Sequence, residues 1–495
     1  MGNIAFLPIG LEVGLLVGAL GILMAAVMRG CRTRDWAIIA GTAIGFGFVV
    51  SVRQWVVVGD IGPQLAYGTK GIDGSAVANQ MVAMDKFGAL GGMILMIVVG
   101  LVLIGSWQMI TDLGTRGAEY VALILLSVAG MHMMIVSANL VMLFIGLETA
   151  SLALYVIAGF LRDRRGSDES AMKYFLMGSF ASALFIYGVA LVFAATGSTS
   201  LYGPTSIGMF LGGNVMPDPG ILLIGIALIL VGLAFKMSAA PFHQWAPDVY
   251  QGASTGAVAF MSTGVKVAAV AAMVRVMYLG FFQFYDDWSM AVALIAALSI
   301  LVGTATAIAQ SDIKRMLAYS GVAHAGFLLV AVLAARVSLD SMWFYLATYA
   351  VSLVGMLTIV GVVAGVNSGP VSIDSFRGLG KKSPMLSVAI AVFMFSMAGI
   401  PGTSGFIAKL VVFTAADLNG FRWLVVLALL ASVAGLFFYL RIIVVAFFDD
   451  TDAEETPSTP TGPRIAIGFA VAVTVLLGLW PTLLLDFARE ALPHL

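Results

Sequence analysis

The chain has 495 residues, 61% of them hydrophobic and only 10% charged, with 26 acidic and 25 basic side chains. Soluble domains carry about 25% charged residues, so this composition excludes an ordinary water-soluble enzyme, and the balanced charge offers no basic surface to nucleic acid. The single cysteine, Cys31, excludes intramolecular disulfides, iron–sulfur clusters and cysteine-rich zinc sites on this chain.

Apolar runs long enough to cross about 30 Å of hydrocarbon as helices recur along the sequence. They fall at 5–28, 36–58, 86–107, 119–137, 139–160, 171–195, 220–241, 252–279, 288–309, 313–335, 341–365, 384–416, 420–447 and 464–485. Lipid leaves no partner for backbone polar groups outside a helix or a closed barrel, and barrel strands would be shorter and alternating. The expectation is therefore an all-α polytopic membrane protein with about fourteen transmembrane helices. No Lys or Arg precedes the first run, so 5–28 reads as a retained span and not a signal peptide. Two boundaries are the least defined: the split near Ser137, where two runs nearly touch, and the long segment 384–416.

Lys and Arg alternate between connections. Arg29, Arg32 and Arg34, then Arg116, then Arg162, Arg164 and Arg165, then Lys314 and Arg315, then Arg377, Lys381 and Lys382, then Arg464 all fall on odd-numbered connections. The even-numbered ones hold little beyond Lys70 and Arg336, so the positive loops are expected in the cytoplasm and both termini on the opposite side. The polar stretch 449–463, with Asp449, Asp450, Asp452, Glu454 and Glu455, reads as a solvated linker. No Gly-rich phosphate loop ending in Gly-Lys-Ser/Thr occurs, which argues against nucleotide hydrolysis.

Several charges fall where lipid should be. An ionised side chain at the centre of a membrane helix costs about 2.5–3.5 kcal/mol on insertion scales, yet Glu148, Lys236, Lys266 and Lys409 all lie at depth, and His324 adds a neutral-to-charged switch in the tenth span. One buried Lys–Glu pair can be scaffolding. Five ionisable groups on five spans point instead to ion or proton handling. Desolvation favours a neutral amine and a nearby carboxylate favours the ammonium, so a Glu–Lys pair whose separation or hydration changes can drive a proton on or off.

Two of these lysines adjoin helix breaks. Pro241 and Pro247 interrupt the seventh span beside Lys236, and Pro401 with Gly399, Gly402 and Gly405 interrupts the twelfth beside Lys409. Interrupted spans in corresponding positions point to an inverted-repeat transporter with its site at the breaks. The five-span separation suggests repeats of five helices.

At residues 139–160, 171–176 (AMKYFL), 235–250 (FKMSAAPFHQWAPDVY), 312–324 (DIKRMLAYSGVAH), 376–379 (FRGL) and 399–409 (GIPGTSGFIAK) the sequence resembles the subunit N family of the proton-pumping NADH–quinone oxidoreductase, respiratory complex I. The continuation Ala246-Pro247-Asp248-Val249-Tyr250 separates it from the sister subunits L and M and from cation/proton antiporter subunits, which share the architecture. Gln251, Ser254, Gly402 and Ala408 depart from the usual family residues.

The resemblance implies three helices in 1–107, inverted five-helix repeats in 119–279 and 288–447, each with a broken helix, and a last helix at 464–485. It implies a coupled Glu148–Lys236 pair, Lys266 as central relay, His324 linking the halves and Lys409 in the half-channel through which protons leave. The implied setting is a plasma-membrane complex with flanking antiporter-like and small membrane subunits. NADH, FMN, iron–sulfur clusters and quinone are expected in partner subunits, with no cofactor on this chain. A cation/proton antiporter subunit, or a subunit of a related hydrogenase or dehydrogenase complex, are the alternatives.

Overall fold

The computed structural model describes residues 6–28, 33–68, 80–161, 165–213, 219–365, 369–449 and 457–492. Cys31, Arg29, Arg32, Lys70, Arg162, Arg164, Asp450, Asp452, Glu454, Glu455 and His494 lie outside the described residues, as does the side chain of Arg165.

Nineteen α-helices occur among the described residues. In chain order they are α1 (Gly10–Val27), α2 (Thr33–Ile61), α3 (Lys86–Asp112), α4 (Arg116–Val136), α5 (Leu140–Ala158), α6 (Arg165–Thr196) and α7 (Ile207–Gly213). Then follow α8 (Gly220–Met237), α9 (Trp245–Gly252), α10 (Thr255–Arg275), α11 (Tyr285–Ile308), α12 (Ile313–Ala334) and α13 (Leu339–Ala364). The last are α14 (Leu379–Lys382), α15 (Pro384–Ala398), α16 (Ser404–Leu418), α17 (Arg422–Phe447), α18 (Thr461–Leu479) and α19 (Thr482–Arg489). Among the described residues thirteen helices are long and apolar enough to cross a membrane. The chain is an all-α polytopic membrane protein.

The expected span 384–416 is not one continuous helix. It is the half-helix pair α15 and α16, parted where Gly399 takes the left-handed conformation at φ +87° and Pro401 removes a backbone donor. The seventh span breaks in the same manner. Ser238, at φ +60°, ends α8, and α9 resumes at Trp245. Both ends are closed by the same hydrogen bonds, Ala239 N to Ala234 O and Ile400 N to Phe395 O, each 2.9 Å. The expected last span, 464–485, also divides: α18 stops before Trp480 and Pro481, and the short α19 follows. The antiparallel hairpin of β1 (Gln64–Ala66) and β2 (Val82–Met84) was not expected from the sequence.

The split near Ser137 has a clear cause. Residues 138–140 run extended beside 199–201, with Leu140 N donating to Thr199 O and Leu201 N to Ala138 O, both at 2.9 Å. Asn139 then caps α5 by accepting from Val141 N at 2.8 Å. A matching junction precedes α12: Ile313 N donates to Val371 O (2.8 Å), Ile373 N to Ser311 O (2.9 Å), and Asp312 accepts from Arg315 N at 2.9 Å.

Helix α10 is the axis of the bundle. It is buried along its whole apolar length and packs against α3, α4, α8, α12 and α13, whereas α1, α2 and α18 lie at the rim with much apolar surface exposed. Small residues permit close approach within pairs of neighbouring helices. A methyl on Gly130 would stand 2.5 Å from Ala150 N on α5, and one on Gly303 would stand 2.4 Å from Ala323 N on α12.

Candidate functional site

Of the five ionisable residues singled out above, Lys266 lies on α10, Glu148, Lys236 and His324 on helices packed against it, and Lys409 on α16 beyond α12 and α13. Glu148 sits midway along α5 and is partly buried, and its carboxylate accepts a short hydrogen bond from Ser182 of α6. Lys236 lies in the last turn of α8, 3% exposed, where the helix dipole favours a cation. Its ammonium donates to Ser151 Oγ at 2.7 Å and stands over the rings of Tyr155 and Tyr174, at 5.4 and 5.7 Å. Glu148 and Lys236 form no direct ion pair. They act on one another electrostatically, with Ser151, Ser182 and Tyr155 around and between them.

Between Lys236 and Lys266 no hydrogen bond joins the two amines directly. The intervening packing is aromatic: Tyr174 stacks on Trp245 with centroids 4.4 Å apart, and Trp245 meets Tyr250 edge-on at 6.1 Å. Lys266, in the middle of α10, donates to Gly321 O at 2.5 Å and to Tyr349 Oη at 3.1 Å. Gly321 lets the amine approach closely: a methyl at that position would stand 3.0 Å from the ammonium nitrogen, which would have to shift.

His324 continues the series. Its ring lies 4.7 Å from that of Tyr349; Nδ1 is 2.8 Å from Tyr345 Oη, and Nε2 is 3.1 Å from Tyr439 Oη. Tyr439 also shares a 2.5 Å hydrogen bond with Ser320. His324, Tyr345, Tyr349, Ser352, Ser396 and Lys409 line one cavity of about 10 Å³, room for roughly one water. Lys409 donates to Ala398 O at 2.8 Å, across the gap between α15 and α16, and also lines a wide cleft of about 800 Å³ between α16 and α17. At the other break Phe235 O is taken up by Trp245 Nε1 at 3.2 Å. At the break after α15 a freed carbonyl is thus satisfied by a side chain from the segment beyond it, while after α8 Trp245 adds a second donor to a carbonyl that Ser238 N already reaches at 3.0 Å.

Sequence reasoning missed several members of this array. Ser151 and Tyr155 follow Glu148 at i+3 and i+7, which places them on its face of α5. Helical spacing from Glu148 would have found those two, whereas Tyr345 and Tyr349 share a face of α13, a helix that carries none of the five residues, and offered no such signal. It also missed Arg275, which is buried and paired with Asp85 at 2.7 and 2.9 Å, with Nε donating to Ile135 O. Lys314, assigned above to a positive loop, is instead fully buried in the first turn of α12 and donates to Ala253 O at 2.9 Å. Its neighbour Arg315 joins Lys173 on Asp248, each at 2.7 Å, tying α12 and α6 to α9. No group of three His, Cys, Asp or Glu able to hold a metal occurs among the described residues.

A profile of the family described as NADH:quinone oxidoreductase/Mrp antiporter, transmembrane, matches residues 137–435, which hold all five residues. NADH-quinone oxidoreductase subunit N 1 of Solibacter usitatus is 40% identical over 428 residues, covering 86% of this chain and 87% of the relative. The chain belongs to the subunit N family of NADH-quinone oxidoreductases.

Among solved structures, a chain of respiratory complex I from Thermus thermophilus superposes with a TM-score of 0.79 at 30% identity, covering 96% of this chain and 98% of that one. A chain of the Mrp complex from Dietzia sp. DQ12-45-1b gives a TM-score of 0.84 at 20% identity over 99% and 97% of the two chains, a likeness of fold alone. Membership of the subunit N family agrees with the Ala246–Tyr250 continuation that sets this sequence apart from the antiporter branch.

Proposed function

We propose that this chain is the proton-translocating subunit N of a respiratory NADH-quinone oxidoreductase and that protons pass along Glu148, Lys236, Lys266, His324 and Lys409. The observation that carries the reading is the set of buried ionisable side chains, each held by hydroxyl or carbonyl partners, at the centre of a bundle whose outer surface is apolar. Two unit charges about 4 Å apart interact by about 4 kcal/mol at an effective dielectric of about 20. In this arrangement Glu148 and Lys236 are parted by serine hydroxyls. A modest shift of α5 or of the broken helix changes that separation, and with it the free energy of holding a proton on Lys236. The water-sized cavity between His324 and Lys409 supplies the corresponding step in the second half.

On this reading residues 119–279 and 288–447 are two inverted five-helix repeats. The matched junctions before α5 and α12, and the matched breaks after α8 and α15, support that division. Electron transfer occurs in partner subunits that carry the FMN, iron–sulfur clusters and quinone site, and its energy arrives here through contacts with flanking antiporter-like and small membrane subunits. The complex lies in the plasma membrane, with the loops before α4 and α12 in the cytoplasm and both termini outside.

The test is NADH-driven proton uptake in inverted membrane vesicles carrying wild-type or Lys236→Met chain. Loss of uptake in an assembled complex is expected. An unchanged proton-to-electron ratio overturns the proposed path, and cation–proton exchange without an electron donor favours an antiporter subunit instead.

A further inference from the structure

Glu12 and His132 meet away from the lysine series, among α1, α2, α3 and α4. Glu12 lies in the first turn of α1 and is 5% exposed; His132 lies near the end of α4 and is fully buried. His132 Nδ1 and Glu12 Oε1 are 2.7 Å apart. Each partner keeps a second buried polar atom, Glu12 Oε2 and His132 Nε2, that makes no hydrogen bond. An unpaired buried polar atom costs about 1–3 kcal/mol, and apolar side chains of similar volume would avoid both that cost and the desolvation of an acid and a base. Packing gives no reason for this pair.

Gly92 on α3 shows what Nε2 faces. A methyl there would stand 2.5 Å from Ser51 Oγ and 3.0 Å from His132 Nε2. Both the hydroxyl and the imidazole nitrogen thus close on Gly92, where no side chain fits. Ser51 donates to Gly47 O at 3.0 Å, which leaves its lone pairs turned to other donors. Of the remaining polar groups nearby, Gln54 of α2 donates to Leu7 O at 2.8 Å, Asp85 is held by Arg275, and Lys86 by Glu490.

We infer that Glu12 and His132 form a second proton-binding site, buried on the side of the bundle that carries the β1–β2 hairpin. With a carboxylate and a neutral imidazole protonated at Nδ1, a proton delivered by a hydronium ion binds at Nε2, leaving water and giving an imidazolium. The Nδ1–H bond then breaks as an O–H bond forms at Glu12 Oε1, leaving a neutral imidazole beside a carboxylic acid. Release from Glu12 restores the carboxylate, and the imidazole is left protonated at Nε2. The site adjoins the lysine series through α4: Met131, next to His132, packs on Gly264 of α10, two residues before Lys266, with its sulfur 3.1 Å from where a Gly264 methyl would stand.

The test is infrared difference spectroscopy between acidic and alkaline buffer on the purified, fully assembled complex, with histidine isotopically labelled. Glu12→Gln is expected to remove one titrating carboxyl signal. Ser51→Ala is expected to shift an imidazole signal while that carboxyl signal remains. Superimposable spectra of wild type and Glu12→Gln overturn the inference. Should Glu12→Gln fail to assemble, an unshifted imidazole signal in Ser51→Ala overturns it equally. The spectra read this pair directly, so the outcome is independent of whether protons also travel by way of Lys236.

Discussion

Lys409 donates to the carbonyl oxygen of Ala398 at 2.8 Å, so an ionisable side chain of one half-helix terminates the half-helix before it. The proton state of Lys409 and the geometry of the break between α15 and α16 are thereby the same variable. A neutral amine donates more weakly, and a carbonyl left unpaired at this depth costs about 1–3 kcal/mol.

Lys409→Met should therefore do two things at once. Proton uptake should fall to background, and Tm of the detergent-purified complex should drop by an amount matching that cost. Lys409→Arg should restore Tm more fully than pumping, because a guanidinium donates well but rarely releases its proton. Parallel thermal melts and vesicle assays check the separation.

Ser151 holds Lys236 at 2.7 Å, and a hydrogen bond to a charged group contributes about 1.5–3 kcal/mol. Ser151→Ala should slow NADH-driven proton uptake about tenfold or more while leaving the amount of assembled complex unchanged. Ser151→Thr, which keeps the hydroxyl, should recover most of the rate.

Tyr349 joins the two halves, since its hydroxyl accepts from Lys266 and its ring lies against His324. Tyr349→Phe keeps the packing and deletes only the oxygen. Proton uptake should fall severalfold with Tm nearly unaltered, whereas Tyr349→Ala should lower both. A Tyr349→Phe variant that pumps normally would remove this residue from the path.

Arg275 and Asp85 are a fully buried ion pair linking the C-terminal end of α10 to the start of α3. Breaking such a pair from one side costs about 3–5 kcal/mol, because the other charge is stranded. Asp85→Leu alone should sharply reduce the amount of chain found in membranes. The double variant Asp85→Leu with Arg275→Met should recover most of it, as immunoblots of isolated membranes will show.

Gly303 lies against the backbone of α12, with room for no side chain. Gly303→Val should force α11 from α12 and destabilise the chain by about 1–3 kcal/mol or more, visible as a lower Tm and faster proteolysis.

Read from the sequence alone, the chain already declares its helices, because lipid admits no other way to satisfy so much backbone, and each span is a local apolar run. The lysines at depth and the prolines and glycines of the two breaks were legible for the same reason: they violate a local rule of membrane helices. Which groups meet was not legible. Lys236 rests on Ser151 and not on Glu148, Arg275 finds Asp85 190 residues away, Lys314 is buried and not in a loop, and Glu12 reaches His132 across 120 residues. Those pairings depend on how helices distant in the chain turn their faces to one another. Side-chain packing across the bundle decides that, and no local pattern encodes it.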